Sequence, residues 1–169
     1  MTPRPLPAAA LVAVVLLAGC RNIVTPAPAP VAASDLRTPS SAVARFDAAY
    51  AAGDAITLRR LIRVTSADDL LTVERTIAEA ELRAVAADRF GPATVASLED
   101  VGLLTKPGPQ PVETADGHLI DLAAEPFSPA AWQRVQTIRR LARDADAGVY
   151  ENGRQLTDSA GRLTASPAT

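Results

Sequence analysis

The chain has one cysteine, one histidine, one tryptophan and one methionine in 169 residues, and each scarcity removes a class of function. A single cysteine, Cys20, excludes an internal disulfide and any cysteine-rich metal site. A single histidine, His118, excludes a multi-histidine metal centre. Aromatic residues make up only 4% of the chain, so a core must be built from Leu, Val, Ile and Ala. Lys106 is the only lysine, and the other basic side chains are arginines. The formal charge is -2, which gives no electrostatic case for nucleic acid. The chain lacks a Gly-rich phosphate loop, a nucleophile elbow and a metal-binding helix motif. It also lacks an apolar run of the roughly 20 residues that a membrane-spanning helix needs.

The N-terminus holds a shorter apolar run. Arg4 and the free amine precede Ala8 to Ala18, and Leu17-Ala18-Gly19-Cys20 closes that run. A basic start, an apolar stretch and small residues before a cleavage point make a signal peptide. The four-residue close resembles the lipobox of bacterial lipoproteins. That resemblance implies cleavage between Gly19 and Cys20, and acylation of Cys20 with diacylglyceryl and then a further acyl (palmitate-type) chain. One acyl chain holds a protein only reversibly, whereas two or three anchor it firmly. Arg21 stands where an aspartate would favour inner-membrane retention, so the resemblance points to the outer membrane, facing the periplasm. Loss of Arg4 with residues 1–19 leaves 16 basic against 19 acidic side chains.

The mature chain divides by composition. Residues 20–40 form the lipidated cysteine and a Pro/Ala-rich tether, which favours extended polyproline II. Residues 41–156 are expected to form one small helical domain, and 157–169 a disordered tail. In the first helix, ending at Ala52, Val43, Phe46 and Tyr50 share a face; Gly53 closes it and Asp54 caps a second helix over 55–63. Ser66 caps the longest helix, 67–90, in which Leu70, Val73, Ile77, Ala80, Ala84 and Ala87 form a heptad-like stripe. That stripe either packs on the first helix or meets a protein partner or second copy of the chain. Gly91-Pro92 stops the helix, and 93–104 predict a short one with Val95, Leu98 and Val101 inward.

Asp116-Gly117 predicts a hairpin turn within 112–122. Ser128-Pro129 starts a helix with Trp132, Val135, Ile138, Leu141 and Ala142 on its buried side, ending at Gly148. Asn152-Gly153 predicts a second hairpin over 149–156.

Few side chains assemble into chemistry. His118 reads as an exposed hairpin residue. Asp68, Asp69, Glu74, Glu79 and Glu81 read as a solvated face, with Glu79 and Arg83 paired at i, i+4. Arg139, Arg140 and Arg143 lie largely opposite the apolar stripe of their helix, with Arg134 on the same helix. No catalytic, metal-binding or cofactor-binding set is expected. Phe46, Tyr50 and Trp132, the large aromatics on inward faces, are the candidate lining of an apolar pocket.

Phe46-Asp47-Ala48-Ala49-Tyr50-Ala51-Ala52-Gly53-Asp54, with Leu58 and Leu61 following, resembles the opening helices of the nuclear transport factor 2-like (SnoaL-like) superfamily over residues 42–64. That likeness implies helices packed in a curved sheet of four to six strands, with an apolar ligand in the cone mouth. The chain departs from it by inserting the helix at 67–90 and lacking long alternating strands. The expected fold is therefore mainly α, with four to five short helices and one or two small hairpins; the α+β cone is the alternative. The expected function is that of a non-enzymatic, lipid-anchored cell-envelope protein with a small interaction domain. A small-molecule-binding module is the alternative.

Overall fold

A computed structural model describes residues 36–165. The expected signal peptide, with Gly19 and Cys20, and most of the expected tether lie outside the described residues. Among the described residues six helices and one antiparallel pair of strands follow in the order α1 (Pro39–Ala52), α2 (Ala55–Leu61), α3 (Ala67–Phe90), α4 (Pro92–Asp100), β1 (Gln110–Thr114), β2 (Gly117–Asp121), α5 (Pro129–Asp146) and α6 (Gly153–Ala165). The fold is mainly α with one small hairpin. Among the described residues the sheet has two strands, so the curved sheet of the cone alternative is not formed.

Local chemistry sets most boundaries. Thr38 caps α1 through a reciprocal box: its Oγ1 accepts from the Ser41 amide at 3.1 Å, and the Ser41 hydroxyl accepts from the Thr38 amide at 3.2 Å. Gly53 ends α1 in the left-handed conformation at φ 66°. A Cβ at Gly53 would stand 3.0 Å from the Ala84 Cβ, so glycine also permits the close approach of α1 to α3. Asp54 accepts from the Thr57 amide at 3.0 Å and starts α2. Ser66 and Ser128 cap α3 and α5 in the same way.

Helix α3 is the axis of the molecule, because it carries two apolar stripes. Val73, Ile77 and Ala80 pack with Phe46, Tyr50, Leu58, Leu61 and Ile120, from α1, α2 and the hairpin. Leu71, Ala78, Leu82 and Ala86 pack with Leu98, Ile138, Leu141 and Leu156, from α4, α5 and α6. Each large side chain fully buried in these clusters contributes about 1.5–3 kcal/mol relative to exposure. The heptad-like stripe is only the first of the two.

The hairpin expected around Asn152-Gly153 is instead the start of α6. The Asn152 Oδ1 accepts from the Gln155 amide at 3.1 Å, and the Gln155 Oε1 accepts from the Glu151 amide at 2.7 Å. Asn152 is thus a helix cap rather than a turn residue. Residues 157–165, expected as disordered tail, continue this helix, and 166–169 lie outside the described residues. Leu156 and Ala160 are fully buried on one face of α6.

Smaller differences have similarly local causes. Thr114 pairs with Gly117, so the hairpin turn is Ala115-Asp116, one residue earlier than expected. Helix α2 stops at Leu61, because the next residues bridge to β2: the Arg63 amide donates to the Ile120 carbonyl at 2.8 Å. Helix α4 ends at Asp100, Val101 is exposed, and Leu103 and Leu104 fill the core instead.

Candidate functional site

The side chains singled out by sequence pattern are distributed differently from expectation. Val73, Ile77 and Ala80 are buried inside the domain, Ala84 is half-buried beneath Gly53, and Leu70 is 52% exposed. The candidate interface is therefore consumed by internal packing, and Leu70 falls off it. Phe46 and Tyr50 stack on one another, with ring centroids 6.1 Å apart, in the cluster of α1, α2 and α3. Trp132 belongs to neither core cluster and is 38% exposed at the start of α5. Among the described residues Trp132 thus stands apart from Phe46 and Tyr50 and shares no core cluster with them.

Glu79 departs furthest from the solvated face expected for it, being 1% exposed. Its Oε2 accepts from the Thr105 hydroxyl at 2.6 Å and from the Thr105 amide at 3.0 Å. The Tyr50 hydroxyl donates to the Thr105 carbonyl at 2.9 Å. Thr105 is thus held on both backbone groups, which fixes the segment after α4 across the middle of α3. Arg75 stands 3.7 Å from the other carboxylate oxygen and also pairs with Glu125. Burial pushes the Glu79 carboxyl above the usual glutamate range, against the Thr105 hydrogen bonds and the Arg75 and Arg134 charges that pull it down. Burial, reinforced by the Glu79 charge, raises the Tyr50 phenol to about 12. Arg83 lies over the Tyr50 ring at 5.5 Å and pairs with Glu99 rather than with Glu79. Every named group here is engaged in holding Thr105 or in balancing charge, which describes a structural clamp.

Glu74 and the histidine are also tied down. Glu74 bridges Arg59 of α2 and Arg139 of α5. His118 is half-buried, with Nδ1 3.2 Å from the Leu36 carbonyl, where an Nδ1–H holds the entering chain against the hairpin. Among the described residues no group of three or more metal-ligating side chains gathers.

One surface that stays open lies on the outer side of α5 and α6. Arg134 donates to the Gly102 carbonyl and Arg139 is taken by Glu74, whereas Arg140 and Arg143 are exposed with no ion pair among the described residues. Phe127 and Trp132, 57% and 38% exposed, flank the Ser128 cap. They occupy the positions before the cap and in the first turn that neighbour each other as a hydrophobic staple. An open groove of about 590 Å³ runs between α4 and α6, lined by Ser97, Val101, Thr157, Asp158 and Arg162 among others. A second, of about 350 Å³, lies between α5 and α6 beside Arg140, Asp144, Tyr150 and Arg162. Both are shallow and mixed in polarity. Sequence pattern did mark the arginines, but not which of them tertiary contacts would neutralise.

No protein-family model, no curated protein and no solved structure matches this chain.

Proposed function

We propose that this is a non-enzymatic lipoprotein of the bacterial cell envelope, anchored through acyl chains on Cys20 and presenting a small helical domain that acts by contact. The observation that carries the reading is the lipobox-like close, Leu17-Ala18-Gly19-Cys20, at the end of a short apolar run. The arrangement of the domain is in keeping with it. Its buried carboxylate serves a clamp, and Trp132, Arg140 and Arg143 face outward on α5. Arg21 after the anchor favours the outer membrane, with the domain on the periplasmic side.

Radiolabelled palmitate and detergent phase separation test the anchor. The full-length chain is expected to incorporate label and partition with membranes, and Cys20→Ser to lose both while keeping its helical circular dichroism. Label that persists in Cys20→Ser, or a wild-type chain that stays aqueous, overturns the reading.

A further inference from the structure

We propose that the outer face of α5 docks on the anionic headgroup surface of a lipid bilayer. Trp132, Gln136, Arg140 and Arg143 follow one another at spacings of four, four and three, so they form a single stripe about 16 Å long on α5. All four are exposed. Phe127 adds a second exposed aromatic at one end, and Val149, 63% exposed, lies just beyond the other. The stripe contains no carboxylate; Asp144 is half-buried beside it and Asp146 is exposed in the last turn.

Each part of this surface suits an interface between water and lipid. Tryptophan places its ring at headgroup level with the indole N–H in a polar layer. Unpaired arginines gain from an anionic surface, and a helix lying flat brings the whole stripe to it at once. The buried side of the same helix, Val135, Ile138, Leu141 and Ala145, is already used in the core. Beyond the staple positions of Phe127 and Trp132, the stripe takes no part in the core.

The inference rests in part on the proposed anchor, which would keep the bilayer within reach. Fifteen residues lie between Cys20 and Leu36, making sixteen residue-to-residue steps. Sixteen steps at about 3.1 Å would give a polyproline II chain a reach of roughly 50 Å, against a radius of gyration of about 14 Å for a domain of this size. A tether of that length limits distance without dictating which face turns inward. It makes docking intramolecular, so a weak intrinsic affinity suffices. An acidic protein surface would match the arginines equally, but the proposed anchor keeps a bilayer, rather than such a partner, always within reach of this face.

Trp132 is the only tryptophan of the chain, so its fluorescence reads this contact directly. The unacylated mature chain, Cys20→Ser, is titrated with vesicles of phosphatidylethanolamine and phosphatidylglycerol and, separately, of phosphatidylcholine. The emission is expected to shift blue on the anionic vesicles alone, to be quenched by brominated acyl chains, and to return in high salt. Replacing both Arg140 and Arg143 by Gln is expected to weaken binding roughly thirtyfold with unchanged circular dichroism. Emission unmoved by anionic vesicles at up to millimolar lipid, the effective concentration a short tether supplies, overturns the proposal. So does an equal response from the double variant, or a shift on polyglutamate but not on vesicles, which assigns the face to an acidic protein. This chain carries no acyl group, so failure of the anchor and failure of the docking face are read in separate experiments.

Discussion

Glu79 is held where its charge is unwelcome, and it shows at the residue scale how a polar group can organise a fold. Its pKa is raised by burial, so the folded state binds its proton more tightly than the unfolded chain does. The contribution of this group to stability is therefore greatest at low pH and falls as pH rises from the ordinary glutamate value, about 4.3, through the raised one. Glu79→Gln keeps an acceptor for Thr105 and removes the charge. It is expected to flatten that part of the profile when urea midpoints are followed against pH. A profile that superimposes on the wild type would refute this assignment. Glu79→Ala leaves the Thr105 amide without its acceptor and is expected to cost about 1–3 kcal/mol. None of this was visible in the sequence. Glu79 and Arg83 stand at the spacing of an exposed pair, and only the position of Thr105, 26 residues later, shows that the carboxylate turns inward.

At the scale of elements, α6 and α3 teach opposite lessons about periodicity. In α6 the signal was present but ambiguous. Asn-Gly is both a favoured hairpin turn and a plausible cap followed by a first helical residue, and Gln155, three residues after Asn152, decides for the cap. Leu156 and Ala160 then bury one face against α4 and α5. The helix is therefore part of the core rather than an appendage. Leu156→Ala is expected to lower stability by about 2–5 kcal/mol, read from the urea midpoint. A change within a few tenths of a kcal/mol would return residues 153–165 to the status of a tail. In α3 one stripe, Val73, Ile77 and Ala80, was legible from its spacing. The second, Leu71, Ala78, Leu82 and Ala86, was masked because alanines fill half its positions. A helix packed on two sides loses the simple contrast between apolar and polar faces on which such reading depends.

For the whole molecule, that two-sided packing decides what the heptad-like stripe is for. Ile77 is 2% exposed between α3 and its neighbours, so a second copy cannot reach it while the domain is folded. Ile77→Asp places an unpaired charge in the core, and is expected to abolish the helical circular dichroism rather than to split a dimer. Sedimentation of the variant beside the wild type checks this: a folded monomer derived from a dimeric wild type would restore the stripe as an interface. The aromatic triad separates for a similar reason. Phe46 and Tyr50 are neighbours on one helix and pack together, whereas Trp132 lies at the start of another helix and escapes both core clusters.

The chain by itself determined the features that short-range chemistry controls. These are the caps at Asp54, Ser66 and Ser128, the stops at Gly53 and Gly91, the helical class of the domain and one hairpin. Each depends on groups within a few residues of one another, whose geometry hardly changes with context. Tertiary structure decided which polar groups are spent and which remain free. Glu74 is shared between Arg59 and Arg139, Glu79 takes Thr105, and Arg140 and Arg143 are left on the surface. Those outcomes depend on distances between helices far apart in the chain, and on the desolvation that follows when they meet.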